Sequence, residues 1–347
     1  MTIPYQPRDP VHYRPRIALI GCGGITVHHL TAYRAAGYDV VALCDVDATR
    51  AEARRAQFFP DALITNDASV ILRDPTIAVV DIATHPADRV PLIEAALRAG
   101  KHVLSQKPFV LDLGDGERLV ALAQANHVQL AVNQNGRWAP HVAYMRGAIA
   151  AGLVGTVSSV DLAVHWDHNW VVGTPFDDID DLLLYDFAIH WFDMLTCYFP
   201  GQTPLGVSAR VISSAQQRAR PPLLGHVMVE YPSALATMSF NADTRYGGSD
   251  RTLIVGDLGT VSSSGPGLGE QHVTLTTAAG ATSPVLAGSW FPDGFHGTMA
   301  ELLCAIAEER TPAHSAANNL TSLALCFAAI ASSRSGARVV PGTVRSL

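Results

Sequence analysis

Apolar and polar positions follow two rhythms along this chain. Between Arg16 and Asn133, short apolar runs alternate with stretches of helical period: RIALI ends at Ile20, a glycine turn leads into a helical segment from Ile25 to Ala36, and DVVALCD is a second strand. Next come a strand VVDIAT, a helix from Val90 to Ala99, a strand KHVLS, a helix over ERLVALAQAN and a strand QLAVN. Strands of this kind are buried on both faces, so their alternation with helices predicts a parallel, doubly wound sheet with right-handed crossovers. Beyond Val154 the segments GTVSSVDLAVHW, LGVSARVISSAQ, GHVMVEYP, ALATMSFNAD and RTLIVGD alternate with period two and have short connections. That pattern predicts a second domain with an open, mostly antiparallel sheet. Two late helices, from Gly297 to Glu309 and from Leu320 to Ser333, are expected to pack back toward the first domain.

One apolar stretch breaks its own pattern. LLLYDFAIHWFDML, from Leu182 to Leu195, carries Asp186, His190 and Asp193 at intervals of four and three. On an α-helix those intervals place three polar side chains on one stripe. They are either buried groups bonded to neighbours, as buried polar groups usually are, or a catalytic carboxylate–imidazole pair. The stretch alone leaves both open.

The chain has 347 residues, 48% of them hydrophobic and 16% charged, which suits a well-buried protein of two domains. The boundary is expected between Gly152 and Gly155, giving domains of residues 1–152 and 153–347. A net charge of −7 gives no basic footprint, so nucleic acid is not an expected partner. Five scattered cysteines without a C-x-x-C argue against a disulfide framework or a zinc module and suit a reducing compartment. The first residues alternate Pro, Arg and Asp, unlike a signal peptide, and no uninterrupted apolar run reaches the roughly 18 residues of a spanning helix. A cytoplasmic protein without membrane contact is expected.

The glycine turn carries the first chemistry. Gly21 and Gly23 fill the first two places of G-x-G-x-x-G, while Thr26 stands in the third. The first glycine permits the strand-to-helix turn and the second lets backbone approach a pyrophosphate at the helix N-terminus. Asp45 closes the second strand at the position where an acid meets ribose hydroxyls. A second acid follows at Asp47, and two carboxylates would repel a 2′-phosphate, so NAD is expected over NADP. Lys107, beside Pro108, leaves the carboxyl end of a parallel strand, where ligands of such sheets bind.

The segments IALIGCGGI, ALRAGKHVLSQKPF, NGRWAP, GLVGTVSSV, YDFAIHWFDML and SWFPDGFHGTMAELLCAIAEERTP occur in this order from Arg16 to Val340. In them the chain resembles the glucose-fructose oxidoreductase, inositol dehydrogenase and rhizopine catabolism family (Gfo/Idh/MocA). The resemblance implies an N-terminal Rossmann domain, a C-terminal α/β domain whose open sheet forms oligomer contacts, and a homodimer or homotetramer. The family's Glu-Lys-Pro matches Gln106, Lys107 and Pro108, with Gln replacing Glu beside the catalytic lysine. Its catalytic Asp and His match Asp186 and His190, and its Thr-Pro-Asn reads Thr84, His85 and Pro86 here. The expected cofactor contacts are Gly21, Cys22, Gly23, Gly24, Ile25, Asp45, Thr84, His85, Gln106 and Lys107.

Oxidation of a secondary alcohol needs a base, a cation for the developing alkoxide and a nicotinamide. The resemblance assigns these roles to His190 as base, Lys107 as donor to the substrate oxygen and Asp186 as the group that orients His190 and holds Lys107. Asn135, Arg137, Trp166 and His168 are added as expected substrate contacts, since flat aromatics flanked by the acids Asp177 to Asp181 suit a polyol. His165 and Asp167 point one way along a strand and His168 the other, which suits a metal poorly, so none is expected. The expected activity is NAD-dependent oxidation of a sugar, sugar derivative or cyclitol. An enzyme retaining NAD to couple two sugar half-reactions or to cleave glycosides is the alternative, and a non-catalytic sensor would have no use for Lys107, Asp186 and His190.

Overall fold

The computed structural model describes residues 3–347, and spatial contacts divide the chain into two units. One comprises residues 6–138 and 291–320, the other 3–5, 139–290 and 321–347. The helix after Ala139 therefore joins the second unit, although the sequence pattern changes only near Gly152. The segment 291–320 falls in the first unit and 321–347 in the second.

The first unit holds a six-stranded parallel sheet in the order β3-β2-β1-β4-β5-β6. Its strands are β1 (Arg16–Ile20), β2 (Asp39–Cys44), β3 (Leu63–Thr65), β4 (Ile77–Ile82), β5 (His102–Gln106) and β6 (Leu130–Asn133). Helices α1 (Thr26–Ala35), α2 (Ala48–Phe58), α3 (Ala68–Arg73), α4 (Pro86–Arg98) and α5 (Leu113–Ala125) connect them. Local chemistry starts most of these helices: Asp47, Asp67 and Asp112 accept backbone N–H groups as N-caps, and Pro86 opens α4. The α2 and α3 helices and the short β3 escape the periodicity reading, since they bury few side chains.

The other unit begins with α6 (Pro140–Ala150) and β7 (Val157–His165). A π-helical turn, Leu183–Phe187, leads into α7 (Ile189–Tyr198). Strands β8 (Gly206–Ile212), β9 (Leu224–Tyr231), β10 (Ala234–Asn241), β11 (Ser249–Gly256), β12 (Gly259–Gly267), β13 (Glu270–Thr277) and β14 (Gly280–Thr282) complete an eight-stranded sheet with β7. The order is β14-β13-β12-β11-β7-β10-β9-β8, antiparallel except between β7 and β10. The expected mixture of parallel and mostly antiparallel sheets is what the chain forms. Strands β12 to β14, rich in Ser, Thr and Gly, are additions, fixed by pairing such as Thr252 with Ser263 and not by an apolar pattern.

The last helices are α8 (Trp290–Ala307) and α9 (Ala316–Ser335). Phe291 breaks α8 with extended backbone (φ −109°, ψ 125°), and the residues after it enter the Rossmann core. There Phe295, Met299, Leu302 and Leu303 pack with Leu19, Leu30, Tyr33, Leu43 and Leu104. Among the described residues only α9 is long and apolar enough to cross a membrane, and 61% of that stretch is buried within the protein, as in a core helix.

Candidate cofactor and catalytic sites

The glycine loop runs from the end of β1 into α1. Gly21 has φ +93°, and a Cβ there would lie 2.9 Å from the carbonyl carbon of Ala83, so only glycine fits this crossing of β1 and β4. Gly23 and Gly24 face open space, with nothing within 4 Å of an added Cβ. The α1 helix has no side-chain cap and no acid in its first turn, which leaves its positive end for an anion. Thr26, in the third glycine's place, turns its hydroxyl back to the Gly23 carbonyl at 2.6 Å.

Asp45 supports this loop from β2. It is buried, and its carboxylate accepts the N–H of Cys22 at 2.7 Å and that of Asp47 at 2.9 Å. Burial and the nearby Asp45 charge push the Cys22 thiol up to about 12, so it remains a neutral, unreactive filler. Arg54 of α2, which no motif marks, reaches the same loop, donating to the Gly23 carbonyl at 3.1 Å and to Thr26 at 3.2 Å.

At the carboxyl ends of β4 and β5, Arg89 ties the strands together. It is 1% exposed, donates through Nε to the Thr84 carbonyl at 3.2 Å, and binds the carbonyls of Gln106 and Pro108. Lys107, half-buried between those two carbonyls, is thus held at this edge of the sheet. Thr84 Oγ1 is buried without a hydrogen-bond partner, an orphan that a ligand's hydroxyl would satisfy. His85 is exposed at the start of α4. The open Gly23–Gly24 turn, the uncapped helix and the orphan Thr84 hydroxyl together fit a dinucleotide. Asn135 and Arg137 lie in the 3-10 turn Asn135–Trp138, both buried. Arg137 donates to the Ala313 carbonyl and to Asn318, each at 2.6 Å, so its guanidinium also helps build its own unit.

In the second unit, Asp186 lies on the π-helical turn and His190 on α7, which corrects the expected regular α-helix over this stretch. The Ala188 N–H bonds to the Leu183 carbonyl at 2.8 Å, five residues back, a wider turn than that of an α-helix. Leu183 lies where a Cβ on Gly225 would be 2.8 Å away, so the bulky residues of this turn are packed tightly on β9. Asp193 is buried and accepts the Ser322 hydroxyl at 2.9 Å.

Around His190 the aromatic residues gather. Its ring meets Trp290 edge-on at 5.4 Å and Trp191 at 6.3 Å, and Trp191 lies 5.5 Å from Trp166. Trp166 in turn stacks on His168 at 6.4 Å, and His168 Nδ1 accepts the Trp170 indole N–H at 3.2 Å. The expected residues Trp166, His168 and His190 therefore belong to one aromatic cluster. The acids after it are engaged elsewhere: Asp177 accepts the Arg220 N–H at 2.8 Å, and Asp178 and Asp181 pair with Arg220 and Arg334. They line a separate cavity of about 580 Å³ with Pro221 and Pro222. Among the described residues, no group of three or more His, Cys, Asp or Glu side chains is placed to hold a metal.

Comparison with known proteins shows the family and the fold. Residues 15–134 match the family model described as an oxidoreductase family with an NAD-binding Rossmann fold, and residues 142–262 match the GFO/IDH/MocA C-terminal domain. The chain is similar to a D-apiose dehydrogenase of Paraburkholderia graminis, 32% identical over 57% of this chain and 53% of that protein. It is also similar to an inositol 2-dehydrogenase of Salmonella paratyphi B, 26% identical over 56% of this chain and 61% of the relative. The chain spans about half to three fifths of the length of these curated relatives. Among solved structures, an oxidoreductase from Agrobacterium radiobacter in complex with NAD+, L-tartaric acid and magnesium superposes with a TM-score of 0.84 at 22% identity, covering 95% of this chain and 99% of that one.

Proposed function

Since the chain belongs to the Gfo/Idh/MocA family, we propose that it is an NAD-dependent dehydrogenase oxidising a secondary hydroxyl of a sugar, sugar derivative or cyclitol. The observation that carries this reading is the Rossmann edge: an open glycine turn resting on the Asp45 carboxylate, beside a lysine held by Arg89 at the end of β5. The substrate class comes from the dehydrogenases of D-apiose and inositol that the chain resembles, and from the aromatic cluster around His190.

Bound on this edge, a nicotinamide supplies the hydride acceptor. Gly21 to Ile25 and Asp45 would hold its dinucleotide, and Thr84, His85 and Gln106 lie along the same edge. His190 takes the proton of the substrate hydroxyl, because an imidazole changes charge near neutral pH. Asp186 supports that imidazole, and the Lys107 ammonium donates to the oxygen that becomes a carbonyl. The preference for NAD over NADP rests on Asp45 and Asp47, two carboxylates where a 2′-phosphate would sit.

A screen of NAD reduction at 340 nm against monosaccharides, inositols and glycosides tests the reading. At least one polyol is expected to be oxidised, with Lys107→Met and His190→Ala each lowering kcat by about 100-fold or more while NAD affinity holds. Full turnover in either variant removes that residue from the mechanism.

A further inference from the structure

Behind the end of β5 lies a chain of buried polar groups that ends on the peptide of Lys107. The Asp81 carboxylate of β4 accepts the Tyr33 hydroxyl at 2.6 Å and meets His29 Nδ1 at 2.7 Å. His29 Nε2 lies 3.1 Å from the amide nitrogen of Gln106 and 3.2 Å from that of Asn133. Gln106 Oε1 accepts the backbone N–H of Lys107 at 2.7 Å. Asp81, Tyr33 and His29 are wholly buried and Gln106 is 5% exposed.

One atom fixes the direction of these bonds. A backbone N–H only donates, so the Gln106 atom that meets Lys107 is the carbonyl oxygen, and its NH2 faces His29. An NH2 group also only donates, so His29 Nε2 is the acceptor and carries no proton. The ring proton is then on Nδ1, directed at Asp81, which can only accept.

We propose that Gln106 is a positioning residue: its amide ties the Lys107 peptide to the buried Asp81–His29 pair, in a network that takes a carboxylate at position 106 only with one more proton. A glutamate could keep the bond to Lys107, but its second oxygen would face the lone pair of His29 Nε2. The repulsion ends only when one more proton lies between that oxygen and the ring nitrogen, on either of the two. The charged and titratable groups facing the network are Asp81 of β4, Tyr33 and His28 of α1, and Arg89 of α4, whose guanidinium binds the Gln106 carbonyl. Asn133 of β6 and Phe295 and Thr298 of α8 complete its walls. The effect on turnover rests on the reading of Lys107 as the group that steadies the substrate oxygen; the network itself does not.

Thermal unfolding of the cofactor-free protein, Gln106→Glu and Gln106→Met between about pH 5.5 and about pH 8 tests this, since imidazole changes charge in that range. Folded Gln106→Glu binds a proton that its unfolded chain releases above the ordinary imidazole pKa, so its stability is intact at the acid end and falls as pH rises. Its Tm deficit relative to the unaltered protein should widen by about 2–4 °C toward pH 8, and the Gln106→Met deficit should stay constant. A Gln106→Glu deficit that is absent, or independent of pH, overturns the proposal. Should Gln106→Glu fail to fold at neutral pH, its recovery at about pH 5.5 supports the proposal, and failure at both ends while Gln106→Met folds overturns it. At about pH 8 its kcat should drop about 10-fold with the KM for NAD unchanged, and an unchanged kcat overturns the positioning role. If Lys107→Met retains turnover while the Gln106→Glu deficit follows pH, the network stands and the role of Lys107 falls.

Discussion

The Asp45 carboxylate holds the backbone N–H of Cys22 at 2.7 Å, so the acid that ends β2 shapes the glycine loop before any ribose arrives. Its two oxygens offer about four acceptor sites, enough to bond both loop N–H groups and a ribose hydroxyl. Replacing Asp45 with Ala should raise the Kd for NAD by about 10- to 100-fold, the worth of charge-assisted hydrogen bonds of about 1.5–3 kcal/mol. Tryptophan-fluorescence titration with NAD and NADP measures it, and the preference for NAD should shrink in the same variant.

Two glycines of the loop should fail in different ways. Gly21→Ala places a Cβ 2.9 Å from Ala83 at φ +93°, so it should destabilise the protein by about 2 kcal/mol or more in urea unfolding. Gly23→Ala meets nothing within 4 Å, so it should fold normally and lose NAD affinity, because the added methyl occupies the pyrophosphate's approach. Equal unfolding midpoints for the two variants would contradict the assignment of Gly21 to the fold.

Arg89 holds the carbonyls of Thr84, Gln106 and Pro108 from a fully buried position. Arg89→Met should cost about 3 kcal/mol or more, since it strands several buried acceptors. Arg89→Lys should recover little of this, because one ammonium cannot span the carbonyls that a planar fork reaches. Denaturant unfolding of both variants, with kcat, gives the comparison.

Asp250 on β11 is 2% exposed, and its Oδ2 is without a hydrogen-bond partner. Burial pushes its carboxyl up to about 7. The folded state therefore holds a proton that the unfolded chain has lost above about pH 4, so this group's contribution is complete below that pH and fades as pH rises to about 7. Asp250→Asn should remove that slope and raise Tm above about pH 7, where the unaltered protein buries a bare charge. Thermal scans across this range that run parallel for the two proteins would show that Asp250 does not titrate with folding.

Much of the first domain is legible without coordinates. The runs that become β1, β2, β4, β5 and β6 are apolar on both faces, and Gly21, Gly23 and Asp45 sit at motif spacing. Elements that bury little are not legible: β12 to β14 are polar strands whose place depends on partners far away in sequence. Nor does sequence mark Arg89 or Arg54, whose roles depend on which carbonyls the fold brings to their reach.

Taken alone, then, the residue order determined the two sheet types, the glycine turn and the polar positions 186, 190 and 193, because hydrophobic period and motif spacing are properties of short segments. Tertiary structure decided that Leu183–Phe187 winds as a π-turn and that Gln106 bonds His29 and Lys107. Those outcomes depend on packing against β9 and on donors and acceptors carried by strands and helices remote in sequence, which no local pattern encodes.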